Sequence, residues 1–232
     1  SIFVNPGQFA PGEDLKNYPI STKKDIKFLQ ELKVDALFLP TTKDIYPEDF
    51  STFVYENIVS KEHEGISRPS FFKGVITIVV KLFNIIYPTH AFFGEKDIQQ
   101  LMVIKKIVKD LNYPVDIVSC PTVREKNGLA MSSRNQYLSS KMFNEASLVY
   151  RSLNHGLSLL KNGENNPKII INAILNSLSE SSLIKVDYIS IVDPKHLKNI
   201  NKIINSDIII CIAVYCGKVR LIDNVMYINR NY

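Results

Sequence analysis

Short apolar runs alternate with amphipathic stretches of helical length along the first half of this chain, and that rhythm leaves few folds open. Ile2-Phe3-Val4 ends at Asn5-Pro6-Gly7, so it reads as a buried strand stopped by a turn. Ala36–Leu39, closed by Pro40, is a second run of this kind, and Ala91–Phe93 and Val115–Val118 are two more. Between them, Ser21 or Thr22 can cap a helix that places Ile26, Leu29 and Leu32 on one face. Pro69–Ile86 carries Ile76, Val79, Val80 and Phe83 at helical spacing, and it is too long for one strand despite its β-branched residues. Asp97–Leu111 is a further helix, with Ile98, Leu101, Ile104 and Val108 inward. Thr41–Arg68 is polar and mixed, an excursion with one strand around Phe53–Tyr55. Elements in this order predict an α/β fold with a parallel sheet covered on both faces. Ligands on such sheets sit beyond the carboxyl ends of the strands, where Gln8 and Gly94–Asp97 fall.

Past Pro121 the pattern changes. Helices over about Lys141–Leu160 and Lys168–Ser179 precede strands at Val186–Ile191, Ile208–Val214 and Val219–Ile222. The 232 residues therefore divide into a domain of 1–121 and a smaller α/β domain of 122–232. The net charge of +5 is spread along the chain as solvated lysines, which argues against a nucleic-acid track. Cys120, Cys211 and Cys216 lie in apolar segments without a Cys-x-x-Cys pair, so they read as free thiols in a reducing compartment. The apolar runs are too short to span a bilayer and no signal peptide opens the chain, so a soluble cytoplasmic protein is expected.

Chemistry concentrates in two places. Phe93-Gly94-Glu95-Lys96-Asp97-Ile98-Gln99-Gln100 joins a strand to a helix through a glycine turn that carries one lysine. Main-chain N–H groups at a helix start and an ammonium beside them make a seat for phosphate. As a surface residue Lys96 would oppose the positive end of the helix dipole, and an anionic ligand removes that conflict. Met131-Ser132-Ser133-Arg134 offers hydroxyls and a guanidinium, and reads equally as a helix cap or as a second phosphate contact. Gln8 and Gln100 each read singly as surface residues. As a pair they can grip a small hydroxy acid without repelling its carboxylate. The four histidines are far apart in sequence and show no metal-ligand spacing, so no protein metal site is expected. Asp25 is a helix-surface carboxylate or an approach to a Mg²⁺ ion carried by a nucleotide.

Taken jointly, these segments resemble the pantothenate synthetase (pantoate–β-alanine ligase) family. The likeness runs through Ser1–Phe9, Asp14–Pro19, Glu64-Gly65 with Arg68-Pro69, Lys81–Asn84, Phe93–Gln100, Met131–Asn135 and Arg220-Leu221-Ile222-Asp223-Asn224. The resemblance implies a Rossmann-like nucleotidyl-transferase domain, a small C-terminal domain and a homodimer. It also implies ATP-dependent condensation of pantoate with β-alanine through a pantoyl-adenylate, with Mg²⁺. Carried over by position, the resemblance implies that Gln8 and Gln100 hold pantoate, with Gln8 near β-alanine as well. The resemblance likewise implies that Gly94, Glu95, Lys96, Asp97, Val123, Met131, Ser132, Ser133 and Arg134 bind ATP, with Lys96 and Arg134 catalytic.

The chain departs from the family pattern in three respects. The family's Pro-Thr-Met-Gly and His-x-Gly-His segment is absent from these residues, so a sheet truncated at its N-terminus, with little turnover by itself, is expected. Ser70, Phe72 and Lys73 replace the usual Gly, His and Arg-type residues, and Ile20 stands where arginine is common. Two other readings compete: a related nucleotidyltransferase moving AMP to a phosphorylated acceptor, and a nucleotide-binding module without turnover. The first would need more cations at its acceptor site than the two glutamines supply.

Overall fold

The computed structural model describes residues 1–204 and 206–229. By packing they form two compact units, one of Ser1–Thr89 with Lys106–Val115, the other of His90–Lys105 with the chain from Asp116 onward.

In the first unit a 3-10 turn, Pro6–Gln8, is capped by Asn5, whose side chain accepts the Gly7 N–H at 3.2 Å. Helix α1 (Thr22–Glu31) follows, then single turns α2 (Thr42–Ile45) and α3 (Glu64–Ser67). A capping box nucleates α2: the Asp44 carboxylate accepts from the Thr41 hydroxyl and main-chain N–H, and these bonds lower its pKa. Helix α4 (Phe71–Ile86) is the core element of the unit. Phe72, Val75, Ile76, Val79 and Phe83 are buried on it, each contributing about 1.5–3 kcal/mol on removal from water. It ends where Tyr87 turns left-handed (φ 51°) and returns its N–H to Phe83 O, with Pro88 following.

In the second unit, β1 (His90–Gly94) pairs in parallel with β2 (Asp116–Cys120), Ala91 opposite Ile117. The helix between them, α5 (Ile98–Asp110), starts in this unit and ends in the first. Helices α6 (Ser140–Glu145), α7 (Leu148–Lys161) and α8 (Pro167–Leu178) precede strands β3 (Ile184–Val192), β4 (Ile208–Cys216) and β5 (Val219–Tyr227). These strands form an antiparallel sheet in the order β3-β4-β5. A two-residue hairpin joins β4 to β5, with Gly217 at φ +60° as such turns require. Ile208, Ile210, Ile212 and Val214 pack with Leu153, Ile170, Ile174 and Leu178 of α7 and α8. Ile209 and Ala213, on the other face of β4, are buried too.

The fold is thus mixed α/β, with a parallel pair and a separate antiparallel sheet. Helices α4, α5 and α8 and strands β1 to β5 fall where hydrophobic spacing puts them. Three predicted strands do not form. Ile2–Val4 and Ala36–Leu39 approach each other through a hydrogen bond from Ile2 N to Phe38 O (3.0 Å) but build no ladder. Phe53–Tyr55 is irregular because its groups serve α4 instead. Val54 N donates to Thr77 Oγ1 at 3.2 Å, and the Lys73 ammonium lies 3.6 Å from the Phe53 ring centroid. The expected helix Lys141–Leu160 is broken into α6 and α7. At the break, the Ser147 hydroxyl and N–H both bond back to Asn144 O and compete with the helical ladder. Among the described residues no helix is long and apolar enough to cross a membrane.

Candidate active site

Gln8 closes the Pro6–Gln8 turn, which rests directly on α4. At Gly74 an added Cβ would stand 2.0 Å from Gly7 O, so only glycine lets the helix backbone come this close. Asn5, buried beneath the turn, uses both of its amide hydrogens. Its Nδ2 donates to Gly74 O and to Gln8 Oε1, each at 3.0 Å, while its Oδ1 accepts from Gly7 N and from the Tyr46 hydroxyl (2.8 Å). Gly74 C=O can only accept and Gly7 N–H can only donate, so the Asn5 amide has one possible orientation. That orientation passes to Gln8, whose oxygen is taken by Asn5 and whose NH₂ is left to donate. Burial pushes the Tyr46 phenol above its usual pKa, against the opposing effect of its bond to Asn5. Arg68 fixes the same turn from its far side. Its guanidinium holds Glu13 with Nε (2.7 Å) and Nη2 (2.6 Å), donates from Nη2 to Gln8 O (2.7 Å), and lies 4.0 Å from the Phe71 ring centroid.

The other expected site residues belong to the second unit. Glu95–Asp97 forms one 3-10 turn leading straight into α5, with Gln100 in the first turn of that helix and half-buried. Gly94 has φ −71°, which any residue adopts, so conformation does not demand glycine here. What its missing Cβ leaves is open space beside the main chain, the condition for a ligand to reach the backbone. Lys96 is half-buried at this turn.

Val123 and Met131 flank a tight loop in which Met131 N donates to Val123 O at 2.9 Å. Both side chains are exposed, at 67% and 50%. The loop turns at Gly128 (φ +92°), where a Cβ would meet the Tyr150 ring at 2.9 Å. Ser132 caps the following 3-10 turn, Ser133–Tyr137, by accepting Arg134 N at 3.3 Å. The capping role weighed for these serines is therefore present at Ser132, while Ser133 and Arg134 remain half-buried beside it.

Sequence reasoning left the braces of this site without roles. Arg124 grips Asp223 through Nη1 (2.6 Å) and Nη2 (3.0 Å), donates to Gly128 O and stacks 3.6 Å from the Tyr150 ring centroid. Asn224 donates to Glu95 O (2.8 Å) and Lys96 O (2.9 Å). For Asp223 and Asn224 the signal was an adjacent carboxylate and amide in the middle of a mostly apolar strand, Val219–Tyr227, where buried polar groups persist only when bonded. Asn5, ahead of Pro6-Gly7, carried a similar hint.

Residues 1–226 match the family described as Pantoate-beta-alanine ligase. A pantothenate synthetase of Thermotoga neapolitana is 46% identical over 226 residues, 97% of this chain and 80% of its own. One of Clostridium botulinum is 46% identical over 227 residues, 98% of this chain and 80% of its own. The crystal structure of pantothenate synthetase from Thermus thermophilus superposes with a TM-score of 0.91 at 40% identity, covering 97% of this chain and 81% of that one. A pantoate-beta-alanine ligase from Francisella tularensis, crystallised with beta-gamma ATP and beta-alanine, gives a TM-score of 0.75 at 37% identity, covering 97% and 77%.

Proposed function

This chain belongs to the pantoate-beta-alanine ligase family, and from that membership we propose that its site joins pantoate to β-alanine by way of a pantoyl-adenylate. The observation that carries the reading is identity of 46% sustained over 97% of the chain with proteins named pantothenate synthetase. In the proposed first step a pantoate carboxylate oxygen bonds to the α-phosphorus of ATP as the bond to pyrophosphate breaks. The carboxylate is already ionised at neutral pH, so this attack needs no general base. In the second step the β-alanine nitrogen bonds to the acyl carbon, the bond to AMP breaks, and the amine gives up a proton.

Placing the reactants and neutralising charge are then the chief demands on the protein. Main-chain N–H groups of the Gly94–Asp97 turn and the Lys96 ammonium receive phosphate oxygens. Arg134, with Ser132 and Ser133, contacts the same polyphosphate, and Val123 and Met131 border the nucleotide. Gln8 offers its NH₂ to a pantoate oxygen because Asn5 already occupies its carbonyl, and Gln100 provides the second amide. No group of three or more His, Cys, Asp or Glu side chains that could hold a metal ion occurs among the described residues. A Mg²⁺ ion carried by the nucleotide's own phosphates would neutralise their charge. The functional division into 1–121 for ATP and pantoate and 122–232 as a C-terminal domain is part of the proposal, as is a homodimer.

The test supplies ATP with pantoate, β-alanine or both to the chain carrying the family's His-x-Gly-His segment ahead of Ser1, and follows AMP and pantothenate. AMP release at steady state is expected only with both acids present, one AMP for each pantothenate. Full-rate AMP release without β-alanine would refute the reading.

A further inference from the structure

We propose that Asn224 is a positioning residue for nucleotide phosphate, acting through the main chain of the Glu95–Asp97 turn. The inference rests on the reading that this turn receives the phosphates. Asn224 is buried on β5, and its Nδ2 donates to two consecutive carbonyls, Glu95 O at 2.8 Å and Lys96 O at 2.9 Å. A trans peptide is planar, with its C=O and N–H pointing in opposite directions. Holding Glu95 C=O therefore sets the direction of Lys96 N–H, and holding Lys96 C=O sets that of Asp97 N–H. Lys96 N–H precedes the i→i+3 bonding of the turn and is left to donate outward, while Asp97 N–H is the first donor within the 3-10 turn itself. One side chain thus aims the Lys96 N–H away from itself, towards whatever the turn binds, and steadies the peptide whose N–H closes the turn.

Asn224 is in turn held firmly. Its own N–H donates to Asp223 Oδ1 at 2.8 Å, and Asp223 carries the bidentate grip of Arg124. Successive residues of a strand face opposite ways. Asp223 shares the face of Leu221 and Val225, which pack on the helical core, while Asn224 turns to the Glu95–Asp97 turn. Strand β5 packs against both that turn and the Ser133–Tyr137 turn. The Arg220–Asn224 segment, which sequence comparison ties to the family without a role, thereby acquires one.

The test measures dissociation constants for ATP and for adenosine, by calorimetry, in the full chain and in its Asn224→Ala, Asn224→Asp and Lys96→Ala variants. Asn224→Asp preserves size and packing but turns a carboxylate towards two carbonyl oxygens, so it stays informative if truncation unfolds the protein. Both Asn224 variants are expected to bind ATP at least about tenfold more weakly, or about 1.4 kcal/mol, while adenosine affinity holds. A general loosening would weaken both ligands alike, and that result overturns the proposal. So does unchanged ATP affinity in the Asn224 variants when Lys96→Ala weakens it. Undiminished affinity in Lys96→Ala, or no ATP binding by the parent chain, removes the phosphate reading itself.

Discussion

Replacing Gly74 by alanine puts a methyl group where α4 meets the Pro6–Gln8 turn. The new carbon would stand 2.0 Å from Gly7 O, 2.3 Å from Gly7 C and 2.9 Å from Gln8 N, all backbone atoms that cannot rotate aside. Contacts under 3.0 Å are not sustained, so the turn must retreat from the helix by about 1 Å or more. Retreat stretches the bond from Asn5 Nδ2 to Gly74 O, and with it the lock on the Gln8 amide. Overpacking costs about 1–3 kcal/mol, and a weakened buried hydrogen bond adds roughly 0.5–1.5 kcal/mol. Against this, alanine gains about 0.8–1.0 kcal/mol of helix propensity over glycine. The net expectation is a loss of about 0.5–4 kcal/mol, read as a fall in Tm of roughly 2–4 °C for each kcal/mol in a chain of this size. Calorimetric melting of parent and Gly74→Ala measures it. A misplacement of about 1 Å at a positioning group can cost on the order of 10²-fold in rate, so kcat/KM for pantoate is expected to fall further than stability alone explains. A variant that melts at or above the parent temperature would show that helix propensity dominates and that the close approach is not tight, which refutes the reasoning.

Two other changes probe the same braces. Tyr46→Phe removes the hydroxyl that donates to Asn5 and should cost about 0.5–1.5 kcal/mol. Because burial raises the Tyr46 pKa above 10.0, the unfolded chain sheds its phenolic proton first, so the parent loses stability as pH rises through and above that value. Urea unfolding between pH 9 and 11 should show a shallower decline for Tyr46→Phe, and identical slopes would contradict this. Arg124→Met strips Asp223, a carboxylate only 4% exposed, of its bidentate partner. Breaking a buried pair from one side costs roughly 3–5 kcal/mol, and a denaturation midpoint matching the parent would remove Arg124 from the bracing network.

Helices were the most legible part of the fold. The spacing of Ile76, Val79 and Phe83, and of Ile98, Leu101 and Ile104, is a local pattern, and each set lies buried on its helix. Strands β1 and β2 were legible as apolar runs, yet the similar runs Ile2–Val4 and Ala36–Leu39 form no ladder. A strand's hydrogen bonds belong to its partner, so composition identifies a candidate but not a pairing. The same limit applied to polar residues. Lys96 was conspicuous because its charge conflicts with a helix start, whereas Asn224 became interpretable only beside the two carbonyls it holds.

By itself, then, the order of residues determined helices α4, α5 and α8, the mixed α/β class and the short segments that resemble the family, because each is written in neighbouring positions. Tertiary structure alone decided which apolar runs became strands, why Gly74 must lack a side chain, and how Asn5 and Asn224 aim the groups beside them. Those outcomes depend on contacts between residues about 70 and 130 positions apart, and directional bonds across such separations exist only once the chain has packed.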